Sequence, residues 1–248
     1  QKFITKLNDK DITSRVPLVS IDENGNITYN HTQEPLIVVN QSTVVYTIRV
    51  YNEGTLPAYV EEVKDDIPAG LVFLPDNEIN QKYGWKLYDE NKNEVQNIED
   101  AKYVRTDYLS EEKSKQRGED NQLKPFDKAL GITNDNPDYR DVQVAFKVDQ
   151  SKMGAMDRKI KNIAEITADN GDDIDSIPDN DKDGEDDRDD EEIELKYFDL
   201  SLLKYVTKVV VNEDGIVKET ETGHTGAENP EPAVKVEINR KKLDKTAV

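Results

Sequence analysis

Lys2-Phe3-Ile4-Thr5-Lys6 returns as Lys204-Tyr205-Val206-Thr207-Lys208, 202 residues further along the chain. Each copy leads through a polar stretch to Glu-Pro and an apolar run. The run is Glu34-Pro35-Leu36-Ile37-Val38-Val39 in the first copy and Glu231-Pro232-Ala233-Val234-Lys235-Val236 in the second. A period this long marks repeated whole domains, not a solenoid of small units. The organisation expected is one domain over residues 1–197 and the start of a second, incomplete repeat over 198–248, which at 51 residues cannot close a sandwich alone. Arrays of like modules usually hold something at a distance.

Charge narrows the partners. The formal net charge is −20, and charged residues make up 35% of the chain. Nucleic acid is disfavoured, because its binding needs clustered Lys and Arg to displace counterions. Adsorption to an anionic membrane is disfavoured for the same reason, and no apolar run reaches the length of a membrane span. The absence of cysteine removes disulfides, thiolate chemistry and Cys-ligated metals. Extracellular animal domains usually carry disulfides, so the composition leans toward a bacterial product.

Period-2 alternation dominates the pattern. Val44, Tyr46, Ile48 and Val50 share one phase and end at the turn Asn52-Glu53-Gly54. Val142, Val144 and Phe146 form a second such run, and Ile160, Ala164 and Ile166 a third. Asn24-Gly25-Asn26 reads as a hairpin turn, and Asn212-Glu213-Asp214-Gly215 as a turn after Val209-Val210-Val211. The fold class expected is all-β, a sandwich of short strands. Residues 90–140 read instead as an elaborated connection with one or two short helices. One would be capped by Thr106 or Asp107 and run to Lys115, and another is suggested by Leu123, Phe126 and Leu130 at helical spacing.

Residues 169–192 contain 14 acids against Lys182 and Arg188. Two readings fit: a linker between domains, or a long hairpin loop before a last strand near Glu192–Tyr197. Within it, Asp179-Asn180-Asp181-Lys182-Asp183-Gly184-Glu185-Asp186-Asp187-Arg188-Asp189-Asp190 follows the D-x-D-x-D-G calcium template. Its ligands would be Asp179, Asp181, Asp183, Glu185, Asp187 and Asp190, all hard oxygen donors suited to calcium. Asp190 in place of Glu reaches less far, and no flanking helices of an EF-hand are evident. The competing reading is a solvated acidic spacer, since blocks of like charge repel.

Four stretches resemble the DUF11-type repeat of Gram-positive bacterial surface proteins. They are Val44-Val45-Tyr46-Thr47-Ile48-Arg49-Val50-Tyr51-Asn52-Glu53-Gly54, Val63-Lys64-Asp65-Asp66-Ile67-Pro68-Ala69-Gly70-Leu71, Asn162-Ile163-Ala164-Glu165-Ile166-Thr167 and Phe198-Asp199-Leu200-Ser201-Leu202-Leu203-Lys204. The resemblance implies an Ig-like β-sandwich repeat in a wall-anchored or secreted protein. Its expected role is a structural stalk, with neighbouring repeats of the same chain as partners. Residues 90–140 depart from the simple pattern.

Phase also places three polar residues where apolar ones belong. Lys2 is in phase with Ile4, Asp65 with Val63 and Ile67, and Asn162 with Ile160, Ala164 and Ile166. A lone buried Lys, Asp or Asn is costly. Burial lowers a lysine pKa and raises a carboxyl pKa, so a neutral amine can meet a protonated acid. Similarity to pilin and adhesin domains that cross-link themselves assigns the nucleophile to Lys2, the acid to Asp65 and the amide to Asn162. The product would be an isopeptide bond, with ammonia released. Lys204 is the counterpart of Lys2 in the next copy, and Lys6 and Asp66 are the reserves if a bulge shifts the phase. Such a bond would stabilise by about 5 kcal/mol in the loop-entropy account. The plainer reading has Lys2 snorkelling, Asp65 opening a turn before Pro68 and Asn162 pairing with backbone.

Turnover chemistry is not expected. His31 and His224 lie in polar stretches without a partner motif, and Ser110-Glu111-Glu112-Lys113 matches S-x-x-K without its companion motifs. The alternative to a stalk is an adhesive module in which Tyr83, Trp85, Tyr88, Tyr103 and Tyr108 contact a host protein or glycan.

Overall fold

The alternating segments become strands of two facing sheets, in a computed structural model that describes residues 1–154, 157–171, 176–197, 200, 202–223, 234, 235 and 241. The chain divides into two compact units, Gln1–Tyr197 and Phe198–Val248. In the first unit one sheet has the order β2 (Lys10–Asp11), β1 (Lys2–Leu7), β6 (Thr43–Tyr51), β12 (Tyr139–Val148), β8 (Leu71–Phe73). The other runs β10 (Glu94–Val95), β9 (Lys86–Tyr88), β11 (Tyr103–Thr106), β7 (Val60–Asp66), β13 (Lys159–Asp169), β14 (Arg188–Leu195), β5 (Leu36–Val38). All neighbours are antiparallel except β14 and β5. A separate hairpin joins β3 (Leu18–Ile21) to β4 (Ile27–Asn30). Asp22 turns it by accepting the backbone N–H groups of Asn24 and Asn26 at 2.9 and 2.8 Å.

The core is drawn from both sheets. Ile4, Val44, Tyr46, Val144 and Phe146 come from one, and Val63, Val104, Ile160, Ala164 and Ile193 from the other. The chain is thus mostly β, with its apolar phase turned inward in each sheet. Gly70, at φ +97°, brings β8 against β13: a Cβ there would lie 2.6 Å from the Ile160 and Met153 side chains.

Residues 90–140 need correction. The excursion begins earlier, at α1 (Glu78–Lys82), and adds β9, β10 and β11 to the second sheet. Strands of two to four residues are too short to display a period. The predicted helix is α2 (Glu111–Arg117), capped by Ser110, not Thr106 or Asp107, and closed by Gly118 at φ +70°. Leu123, Phe126 and Leu130 form no helix; Leu123 bridges to Ala58. The excursion also shields a sheet edge. The Asn80 side chain bonds both backbone groups of Ala145 at 2.8 Å, and Trp85 Nε1 donates to Gln143 O at 2.7 Å. Both close the part of β12 that β8 leaves open, as exposed strand edges require.

The acidic segment connects the antiparallel pair β13 and β14, so it is a hairpin loop, and the last strand starts earlier than expected, at Arg188. In the second unit β15 (Lys208–Glu213) and β16 (Ile216–Glu221) form a hairpin around Asp214 and Gly215. Leu200, Leu202 and Lys204, among the described residues, are exposed and outside any strand. Glu231, Pro232 and Ala233 lie outside the described residues, as does His224. Among the described residues no helix is long and apolar enough to cross a membrane.

Candidate functional site

Lys2, Asp65 and Asn162 are each 0% exposed and meet between the sheets. Strand pairing explains the convergence. Lys2 stands opposite Ile48 and Ile4 opposite Tyr46, so Lys2 shares the core-facing phase; the bulge in β1 falls after Ile4 and leaves that phase intact. In the facing sheet Asp65 is opposite Ala164. Asn162, two residues from Ala164, therefore projects from the same face on the diagonal. Lys6 and Asp66, the reserves, do not enter: Lys6 is partly exposed beside Asp11, and Asp66 contributes a backbone oxygen.

Asp65 links the other two side chains. Its Oδ2 pairs with the Lys2 ammonium, and its Oδ1 accepts from Asn162 Nδ2 at 2.9 Å. Asn162 Nδ2 also donates to Asp66 O at 2.7 Å. That second bond fixes the amide orientation, since a flipped amide would set two acceptors against each other. Burial pushes the Asp65 carboxyl up to about 6, against the opposing pull of Lys2. An acid that holds its proton near neutrality beside a buried amine can exchange that proton with it. The set contains an amine, an acid and a carboxamide carbon, which are the components of amide exchange.

Glu191 belongs to the same interior and sequence reasoning missed it. It lies opposite Asn162 in the β13–β14 register and is 2% exposed. Burial raises its carboxyl to about 7, although Arg15 pulls it down. Arg15 donates through Nε to Glu191 Oε1 at 2.6 Å and through Nη2 to Glu34 O at 2.8 Å. The signal was available: Glu191 is in phase with buried Ile193 and Leu195, as Asp65 is with Val63.

The six acidic-loop residues do not converge. Asp179 pairs with Lys92 and Arg105, Asp181 with Lys64, Asp183 with Arg188, Glu185 with Lys182, and Asp190 lies within β14 against Lys161. Asp187 is buried at the end of the loop. Among the described residues no three acid, His or Cys side chains are gathered as a metal site. Instead the loop lies on the outer face of β7 and β13. Glu165 Oε1 accepts the backbone N–H groups of Asn180 and Asp181, each at 2.9 Å, and Glu165 Oε2 pairs with Lys64 at 2.6 Å. In this arrangement an ion could use Asp179 and Asp181 only by displacing Lys64, Lys92 and Arg105.

Of the five aromatics of the adhesive alternative, Tyr83, Trp85 and Tyr103 are buried and Tyr88 and Tyr108 are half-buried. His31 Nε2 lies 2.8 Å from the Gln33 side-chain nitrogen.

The fold and site together describe a mostly-β protein carrying a buried Lys–Asp–Asn set across two sheets. Neither a family model nor a curated protein matches this chain.

Proposed function

We propose that residues 1–197 are a structural module of a bacterial surface protein, an Ig-like repeat of the DUF11 type, in which Lys2 and Asn162 become joined by an isopeptide bond. The observation that carries this reading is the fully buried contact of Asp65 with both the Lys2 amine and the Asn162 amide. Proton transfer from the ammonium to Asp65 leaves both in neutral form. The Lys2 nitrogen then bonds to the Asn162 side-chain carbon, Asp65 passes its proton to Nδ2 and takes up the proton that the Lys2 nitrogen sheds, the bond to Nδ2 breaks, and that nitrogen leaves as ammonia. Asp65 ends with the proton the ammonium began with, and because Lys2 and Asn162 are consumed the reaction runs once per chain and is not turnover.

The bond would span β1 to β13, and tension applied at residue 2 would bypass every strand between them. That suits a load-bearing stalk outside the cell, linked end to end with neighbouring repeats. The adhesive alternative is weakened by the burial of Tyr83, Trp85 and Tyr103 and by the edge-shielding role of Asn80 and Trp85.

Intact mass tests the proposal. The protein is expected to be lighter by one ammonia, and Lys2→Ala, Asp65→Ala and Asn162→Ala are each expected at full mass. A wild-type protein at full mass would sink the cross-link.

Calcium binding by the acidic loop is a separate proposal, supported by the template spacing alone. Isothermal titration with calcium should give a weak site that Asp181→Asn abolishes; no heat at millimolar calcium would leave the loop held by the chain's own cations.

A further inference from the structure

The site contains two buried polar atoms with no partner, one a donor and one an acceptor. The Asn162 side-chain oxygen accepts no hydrogen bond, and the Tyr46 hydroxyl makes none. Both residues are 0% exposed. Both also flank one amine: Lys2 Nζ lies 4.9 Å from the centre of the Tyr46 ring, and Lys2 and Asn162 share Asp65. Native chains leave few buried polar groups unpaired, and those they leave often mark function. Removing a hydroxyl that pairs with nothing costs no hydrogen bond, so its presence calls for a reason.

Resting on the cross-link proposed above, we propose that the Tyr46 hydroxyl donates a hydrogen bond to the Asn162 side-chain oxygen during attack by Lys2. As the Lys2 nitrogen bonds to the amide carbon, the carbonyl electron pair moves onto that oxygen and charge builds there. A donor placed where charge develops accelerates such a step. The other polar groups are committed. Asp65 faces Nδ2 and the amine, Asp66 offers only an acceptor, and Arg15 is held by Glu191 and Glu34 O. Tyr46 remains, and burial holds its hydroxyl protonated, well above the usual phenol range. The two atoms are not hydrogen-bonded to each other at rest, so the bond forms only as the amide carbon becomes tetrahedral and its oxygen moves. When Nδ2 leaves, the carbonyl reforms and the tyrosine keeps its proton.

The test is a pulse of cell-free synthesis of the 248-residue chain followed by intact-mass sampling during the chase, for wild type and Tyr46→Phe. Ammonia loss should slow by about a hundredfold or more in Tyr46→Phe. Thermal midpoints of Asn162→Ala with and without Tyr46→Phe separate chemistry from packing, since neither can react. The midpoint should stay or rise, because phenylalanine removes an unpaired hydroxyl. An equal rate of ammonia loss in Tyr46→Phe overturns the inference. So does a slow rate accompanied by a lowered midpoint, which would make the effect one of packing. Wild type that never loses ammonia overturns the cross-link itself, a failure distinguishable from the other two.

Discussion

Lys64 and Asp65 are adjacent in β7 and point to opposite faces of one sheet, and each meets a partner from β13. Inside, Asp65 meets an amine and a carboxamide; outside, Lys64 meets the carboxylates of Glu165 and Asp181. Lys64 and Glu165 are buried as Asp65 is, Asp181 is exposed, and only the inner cluster contains a carboxamide that could act as a leaving group. The outer cluster has ion pairs and backbone amides, so it can only open and close. One pair of strands thus carries the proposed cross-link site on one face and the ion pairs that hold the acidic loop on the other.

The comparison breaks most sharply at Asn162. Asn162→Ala should lower the thermal midpoint by roughly 10–20 °C, the loss of about 5 kcal/mol in a unit of this size. Calorimetry reads it, and an unchanged midpoint would mean no cross-link was present. Under tension applied to the ends of the first unit, wild type should lengthen only through residues 163–195, roughly 110 Å of extended chain, whereas Asn162→Ala should release the whole unit.

The outer face should respond differently. Glu165→Gln leaves the Lys64 ammonium without its buried partner, and breaking such a pair costs about 3–5 kcal/mol. The midpoint should fall and protease should cut within residues 176–187, while intact mass still shows one ammonia lost. Full mass in that variant would show that the two faces are coupled.

A smaller effect concerns pH. The carboxyls of Asp65 and Glu191 are raised to about 6 and about 7, so each holds its proton more tightly folded than unfolded. Their contribution to stability is therefore present at low pH and is lost as pH climbs from about 4 through these values. The charges facing Asp65 are Lys2, which opposes the rise, and Asp66, which adds to it; those facing Glu191 are Arg15 and Lys2, which oppose it, and Asp189, which adds to it. In the unlinked Asn162→Ala protein the midpoint should decline between pH 5 and 8, and adding Glu191→Gln should flatten the upper part of that decline. A midpoint rising with pH across this window would reverse the assignment.

The smallest effect separates the faces by salt. Screening weakens partly exposed pairs such as Arg105–Asp179 and Lys92–Asp179 by a few tenths of a kcal/mol. Amide exchange of Asn180 and Asp181, which donate to Glu165, should quicken with added salt, while exchange in β1 should not.

Strand alternation alone put Lys2, Asp65 and Asn162 on inward faces, because a period of two leaves a side chain only two directions. The same rule applied to Glu191 would have named a fourth inward polar residue, hidden by the charge run around it. The helix at Glu111–Arg117 was legible, though its cap was misplaced by the nearer-looking Thr106 and Asp107. Phase could not say which lysine meets which acid. That follows from the packing of β1 against β14 of the facing sheet, from which the Lys2 side chain reaches Asp65 of β7, and from the bulge falling after Ile4. Nor could it find β9, β10 and β11, too short to carry a period, or foresee that Lys64, Arg105 and Lys92 would occupy the carboxylates of a calcium-like loop. Sequence determines the face on which a side chain lies, since that is local backbone geometry. Its partner is decided by packing between distant segments, which only the tertiary fold brings together.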